Sequence, residues 1–217
     1  DPAHYQDQRW THVIAPFRVP EWWTIYRGFD WGFSKPFSVG WYAVDGEGRM
    51  YRIREYYGVA TNEHGQCQPN VGVKMNPHAV AREIRRIEQE DAQLRGRQIM
   101  GIADPAIFQE NGGESIGAAM EQEGVWWDKA DHTRLAGKMQ FHYRLAFDGD
   151  GRPMFYCFDT CKHFIRTIPN LVYDQTDVED VESKVSEDHI YDECRYVMMA
   201  NPIAARVPAA TPVVEVA

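Results

Sequence analysis

Three aspartates stand where packing alone gives no reason to place a charge. Asp30 closes a run of aromatic and β-prone residues, Ile25, Tyr26 and Phe29, and is followed by Trp31-Gly32, which puts it at the end of a buried strand where the backbone turns. Asp104 closes a second short apolar run, Gln98-Ile-Met-Gly-Ile-Ala103, and precedes Pro105. Asp192 follows Asp188 by four residues in Asp188-His-Ile-Tyr-Asp-Glu-Cys-Arg-Tyr. On a helix those two carboxylates project from one face, where like charges repel unless something positive lies between them. A carboxylate on a buried element must be paired, protonated or bound to a metal, because a bare buried charge is costly. Taken alone, Asp30 reads equally well as an Asp starting a turn towards Pro36.

Other chemistry-bearing groups have simpler readings. Asp45-Gly46-Glu47-Gly48 is a hairpin signal, which makes Asp45 a turn residue. Asp148-Gly149-Asp150-Gly151 lacks the alternating ligands and closing Glu of a calcium loop and reads as a turn. Cys157, Cys161 and His163 lack the second ligand pair of a zinc site. With Cys67 and Cys194 they are too few and too irregular for a disulfide framework, so all four cysteines read as free thiols in a reducing compartment. His189 is offset by one residue from Asp188 and reads as a packed or partner-binding histidine.

The elements that must position the acids follow from periodicity. Three β-rich runs occupy about 25–31, 37–44 and 49–57, and 58–76 reads as a loop. Asn76-Pro77 opens a helix to about Leu94, with Val80, Ile84, Ile87 and Leu94 at helical spacing. Its arginines alternate with acids, as on a solvated face. The strand ending at Ala103 comes next, then a helix from Ser115 to about Glu123, a strand at Val125-Trp126-Trp127 and a helix over 133–147. A short strand at 154–156, a helix over 160–168, an acidic stretch over 174–188 and a last helix from Asp188 to Ala200 follow the order βββαβαβα. Three antiparallel strands, a crossover helix and a strand returning parallel to the first give a ribonuclease H-like α/β sheet. In it Asp30 and Asp104 emerge side by side, within reach of Asp192 on the last helix. Three clustered carboxylates cannot all ionise without cations, and hard oxygen ligands call for Mg2+ or Mn2+. Two such ions about 4 Å apart would activate water and stabilise the leaving 3′-oxygen in a phosphodiester displacement.

The chain has 217 residues, 44% of them hydrophobic and 13% aromatic, enough for one well-packed domain. Its formal charge of −9 argues against holding nucleic acid or an anionic membrane by bulk electrostatics, so contact with DNA must be local or assisted. No apolar run approaches the roughly 20 residues of a membrane span, and no signal peptide is visible, so a soluble cytosolic protein is expected. Residues 1–21 read as a linker, 22–201 as the domain, and the proline- and alanine-rich 202–217 as a flexible tail. The start at Asp1 without methionine reads as a fragment.

Phe29-Asp-Trp-Gly with Lys35-Pro-Phe-Ser-Val-Gly-Trp, Ala103-Asp-Pro-Ala, Arg134-Leu-Ala-Gly-Lys and Asp188-His-Ile-Tyr-Asp-Glu-Cys-Arg-Tyr resemble, in the same order, motifs of the C-terminal nuclease domain of tailed-phage terminase large subunits. The resemblance runs from about Pro20 to Asn201. It implies that Asp30, Asp104 and Asp192 form a catalytic triad binding two divalent cations, Mg2+ or Mn2+, with Asp188 a further ligand or a helix cap. Glu193 stands where the family usually has alanine, which should make the surroundings of Asp192 more negative. Lys129, Arg134 and Lys138 are candidate DNA-phosphate contacts, with a solvated role the alternative. The implied function is cleavage of concatemeric double-stranded phage DNA during packaging in the host cell cytoplasm, alongside an ATPase domain of the same protein, a portal and a small terminase subunit. No Gly-x4-Gly-Lys-[Ser/Thr] pattern occurs here, so no ATPase activity is expected of this piece. A junction resolvase-like nuclease of the same fold and a catalytically silent docking domain are the alternatives. Three mutually repelling acids argue against the silent one.

Overall fold

The computed structural model describes residues 11–110, 112–172, 181–182 and 186–206. A seven-stranded mixed sheet carries the fold. Its strands are β1 (Val13–Ile14), β2 (Thr24–Asp30), β3 (Ser38–Val44), β4 (Met50–Tyr57), β7 (Ile99–Ala103), β8 (Asp128–Lys129) and β9 (Phe155–Phe158), in the order β1-β9-β4-β3-β2-β7-β8. A separate hairpin, β5 (Val59–Thr61) with β6 (Cys67–Gly72), follows β4. The helices are α1 (Pro77–Glu90), α2 (Ile116–Gln122), α3 (Arg134–Leu145), α4 (Lys162–Thr167) and α5 (His189–Ala200). β3 runs antiparallel to both β2 and β4, and β7 returns parallel to β2 with Phe29 opposite Ala103. This is the expected ribonuclease H-like arrangement.

Local chemistry explains the frame. The Asp45 carboxylate accepts from the backbone N–H groups of Glu47 and Arg49, both at 2.9 Å, and closes the β3–β4 hairpin. Asp148 binds the N–H groups of Asp150 and Arg152 in the same way. Asn76 caps α1 by accepting from Ala79 N at 2.9 Å, and Val80, Ala81, Ile84 and Ile87 bury the helix on the sheet. Successive residues of a strand face opposite ways. Arg27 meets Glu88 of α1, whereas a Cβ on Gly28 would strike Glu193 of α5, so the two helices cover opposite faces.

The structure departs from the sequence reading in several places. Residues 58–76 are not all loop, because Gly58 and Gly72 let the β5–β6 hairpin close against Phe37 and the Phe33–Lys35 backbone. Helix α1 ends at Glu90, and Leu94 is buried through the turn that follows. The strand expected at Val125–Trp127 forms at Asp128–Lys129, and Trp126 instead offers its carbonyl to Arg27 at 2.8 Å. Residues 11–21, expected as linker, are tied to the domain: Val13 and Ile14 pair with Cys157 and Phe158. Gln93 bonds Val19 N at 2.9 Å and Phe17 O at 2.6 Å, while Arg97 bonds Trp23 O at 2.6 Å. Ile203 exchanges two hydrogen bonds with Gln140, so the start of the expected tail is fastened to α3. Residues 1–10, 207–217 and most of the acidic stretch 174–188 lie outside the described residues. Among those described, no helix is long and apolar enough to cross a membrane.

Candidate active site

Asp30 is the last residue of β2 and shares a face with Gly28, the face covered by α5. The Asp104 N–H donates to Phe29 O at 3.2 Å, so the two acids leave neighbouring parallel strands at the same end of the sheet. Helix α5 packs over β2, β3 and β7 and brings Asp192, in its first turn, and Asp188, at its N-cap, to that end.

Each acid of the expected triad has one partner residue on α5. The His189 ring Nδ1 lies 2.9 Å from Asp30 Oδ2. Tyr196 donates its hydroxyl to Asp104 Oδ2 at 3.2 Å. Arg195 reaches Asp192 Oδ1 through Nη2 at 2.7 Å and Nε at 3.2 Å. Burial pushes the Asp30 carboxyl up to about 7; the hydrogen bond and charge of His189 oppose that rise, and the charges of Asp192 and Asp104 add to it. Burial and then the charge of Asp192 push Asp188 up to about 6. For His189, burial works against the charged form, but Asp30 outweighs burial and holds the imidazolium above its ordinary value.

His189 is the site residue that the sequence reading set aside. Measured from Asp192 instead of Asp188 it lies three residues away, which is a same-face spacing on a helix and the signal that could have found it. Among the basic candidates, Arg134 lies at the acids, with Nη1 3.6 Å from Asp192 Oδ2. Lys129 sits at the sheet edge over the Phe108 ring, at 5.3 Å. Lys138 lines an apolar hollow of about 210 Å³ with Phe141, Leu145 and Tyr191, and is not brought to the acids by any contact of that hollow.

Glu193 corrects an expectation. It does not add its charge to the acid cluster but points into the sheet, fully buried, where it accepts from Arg52 Nη1 and Tyr42 Oη at 2.7 Å and from Ser38 Oγ at 3.1 Å. Burial works against the charge of Arg52, but Glu193, Tyr42 and Glu55 outweigh it and hold the guanidinium well above its ordinary value. Gly28 and Gly40, opposite each other on β2 and β3, leave the space this carboxylate fills. Gly137 of α3 does the same for Arg195, whose stem occupies the place of a Cβ. The glycine in Arg134-Leu-Ala-Gly-Lys therefore serves close helix packing beneath Asp192.

Among the described residues, no three His, Cys, Asp or Glu side chains are gathered closely enough to hold an ion. The donor set nevertheless suits a hard divalent cation, since four carboxylates arrive at one end of the sheet, where burial first and then the charge of neighbouring carboxylates raise Asp30 and Asp188. A cation there would relieve that repulsion.

No protein-family profile matches the chain, and no curated protein matches it by sequence. Solved structures do. The large terminase of a thermophilic bacteriophage, in complex with ADP, matches with a TM-score of 0.62 and 20% identity over 90% of this chain and 42% of that one. The same protein with ATP-gamma-S matches at a TM-score of 0.64 and 20% identity, over 90% and 43%. The P22 large terminase nuclease domain matches at a TM-score of 0.63 and 15% identity, over 89% of each chain. This chain thus spans about two fifths of the thermophilic phage protein, 42%, and nearly the whole of the P22 domain. Its fold is that of a phage large-terminase nuclease domain, with a ribonuclease H-like core.

Proposed function

We propose that this chain is a metal-dependent endodeoxyribonuclease that cleaves concatemeric double-stranded phage DNA during genome packaging, with little sequence preference. The observation that carries the reading is the placement of Asp30 and Asp104 at adjoining parallel strand ends under a helix that supplies Asp192 and Asp188. Asp30, Asp104 and Asp192, with Asp188 beside them, would hold Mg2+ or Mn2+, which when bound supplies an activated water and charge neutralisation at the leaving 3′-oxygen. His189, with Nδ1 2.9 Å from Asp30 Oδ2, would hold a proton against that carboxylate while the acids are free of cations. Arg134, beside Asp192, is positioned to meet a DNA phosphate.

The net charge of −9 fits a domain with weak intrinsic affinity for DNA, which an ATPase domain of the same polypeptide, a portal and a small terminase subunit would supply with substrate in the host cytoplasm. The test is nicking of supercoiled plasmid in Mn2+, Mg2+, Ca2+ or chelator, beside Asp30→Asn, Asp104→Asn and Asp192→Asn. Nicking should require Mn2+ or Mg2+ and be lost in each variant. Unchanged manganese-dependent nicking in the three variants would overturn the assignment.

A further inference from the structure

We infer that Tyr196 is a positioning residue that fixes the Asp104 carboxylate for cation binding, an inference that rests on the proposed nuclease reading. Both oxygens of Asp104 are occupied. Oδ1 accepts from Ala106 N at 2.8 Å, in the turn that Pro105 starts, and Oδ2 accepts from the Tyr196 hydroxyl at 3.2 Å. The backbone bond holds one side of the carboxylate within its own loop. The phenol holds the other side from a different element, so the orientation of Asp104 depends on how α5 docks.

The hydroxyl is itself held in place. Tyr196 is 3% exposed and packs with Ile102, Ala130 and Tyr26 on the face where β7 meets α5. A tyrosine phenol ordinarily titrates at about 10 and carries its proton around neutral pH, so it can serve Asp104 as a donor there. Arg195 differs from it. That residue restrains an acid three positions away on its own helix, whereas Tyr196 links the last helix to the strand end opposite. Donors of this kind, one bond removed from a metal, orient the ligand's lone pairs, and losing one typically lowers metal affinity or activity about 10–100-fold.

The test is Mn2+ titration calorimetry on the DNA-free protein, with plasmid nicking against Mn2+ concentration, for Tyr196→Phe, Asp104→Asn and the double variant. Tyr196→Phe keeps the packed ring and removes only the hydroxyl. It should weaken Mn2+ binding about 10–100-fold and shift half-maximal nicking to correspondingly higher Mn2+. The double variant should bind no more weakly than Asp104→Asn alone, because the phenol acts through that carboxylate. Tyr26→Phe, in the same apolar cluster, should bind Mn2+ as the parent does. Parent-like affinity in Tyr196→Phe, with affinity lost in Asp104→Asn, would overturn the inference and leave the nuclease reading standing. An additive loss in the double variant would also overturn it. Parent-like binding in Asp104→Asn would overturn both.

Discussion

Replacing Glu193 with alanine removes, among the described residues, the one carboxylate within hydrogen-bonding distance of Arg52, whose side chain is fully buried. Tyr42 and Ser38 lose their acceptor at the same time, and Glu55, 3.7 Å from Nη2, keeps its charge near Arg52 but lies beyond hydrogen-bonding reach. Breaking a buried ion pair from one side costs about 3–5 kcal/mol, mostly the penalty of a charge left uncompensated. At roughly 2–4 °C per kcal/mol for a chain of this size, the melting temperature should fall by about 6–20 °C. Urea unfolding followed by tryptophan fluorescence measures the loss directly. Glu193→Gln, which keeps the shape and an acceptor oxygen, should cost less. Adding Arg52→Met to Glu193→Ala should recover part of the loss, since it removes the orphaned charge. A Glu193→Ala penalty below about 1 kcal/mol, or a double variant no more stable than the single one, would refute the view that this pair is a buried, mutually dependent contact.

Two further outcomes follow from the site. Asp30 and His189 both have folded pKa values raised above their ordinary ones, as does Asp188. A raised folded value gives stability that is present at low pH and lost as pH rises through it. Chemical unfolding without divalent cations should therefore show stability falling from about pH 4 to about pH 7, the span between the ordinary and the folded value of Asp30, and Asp30→Asn should flatten that slope; an unchanged slope would contradict the charge cluster. Arg134→Ala should slow plasmid nicking and reduce its salt sensitivity, whereas Lys138→Ala, altering an apolar hollow, should leave both nearly unchanged; equal effects would show that both side chains meet DNA.

The sequence made the centre of the sheet legible because its strands carry strong local signals: alternating β-prone residues, the Asp45 turn and the Asn76-Pro77 helix start. Asp30 and Asp104 were readable for the same reason, as charges at the ends of apolar runs. What escaped depends on partners far away in the chain. β1 has two residues and exists only by pairing with β9, and the β5–β6 hairpin depends on close approach to Phe37 and Lys35. His189 finds Asp30 across 159 positions, and Glu193 finds Arg52 across 141. Neither contact leaves a local pattern. The Glu193 position looked like an added negative charge because a helix motif shows which residue is present but not which face lies against a sheet.

The fastening of residues 11–23 has a mechanical consequence. A pull arriving along the chain at Thr11 meets, in series, the β1–β9 pairing, the Gln93 bonds to Phe17 and Val19, and the Arg97 grip on Trp23 before it reaches the first residue of β2. Asp30 lies at the opposite end of that strand. Load applied at Thr11 would therefore fall first on the sheet edge and the turn after α1, and only then on the strand that ends in Asp30.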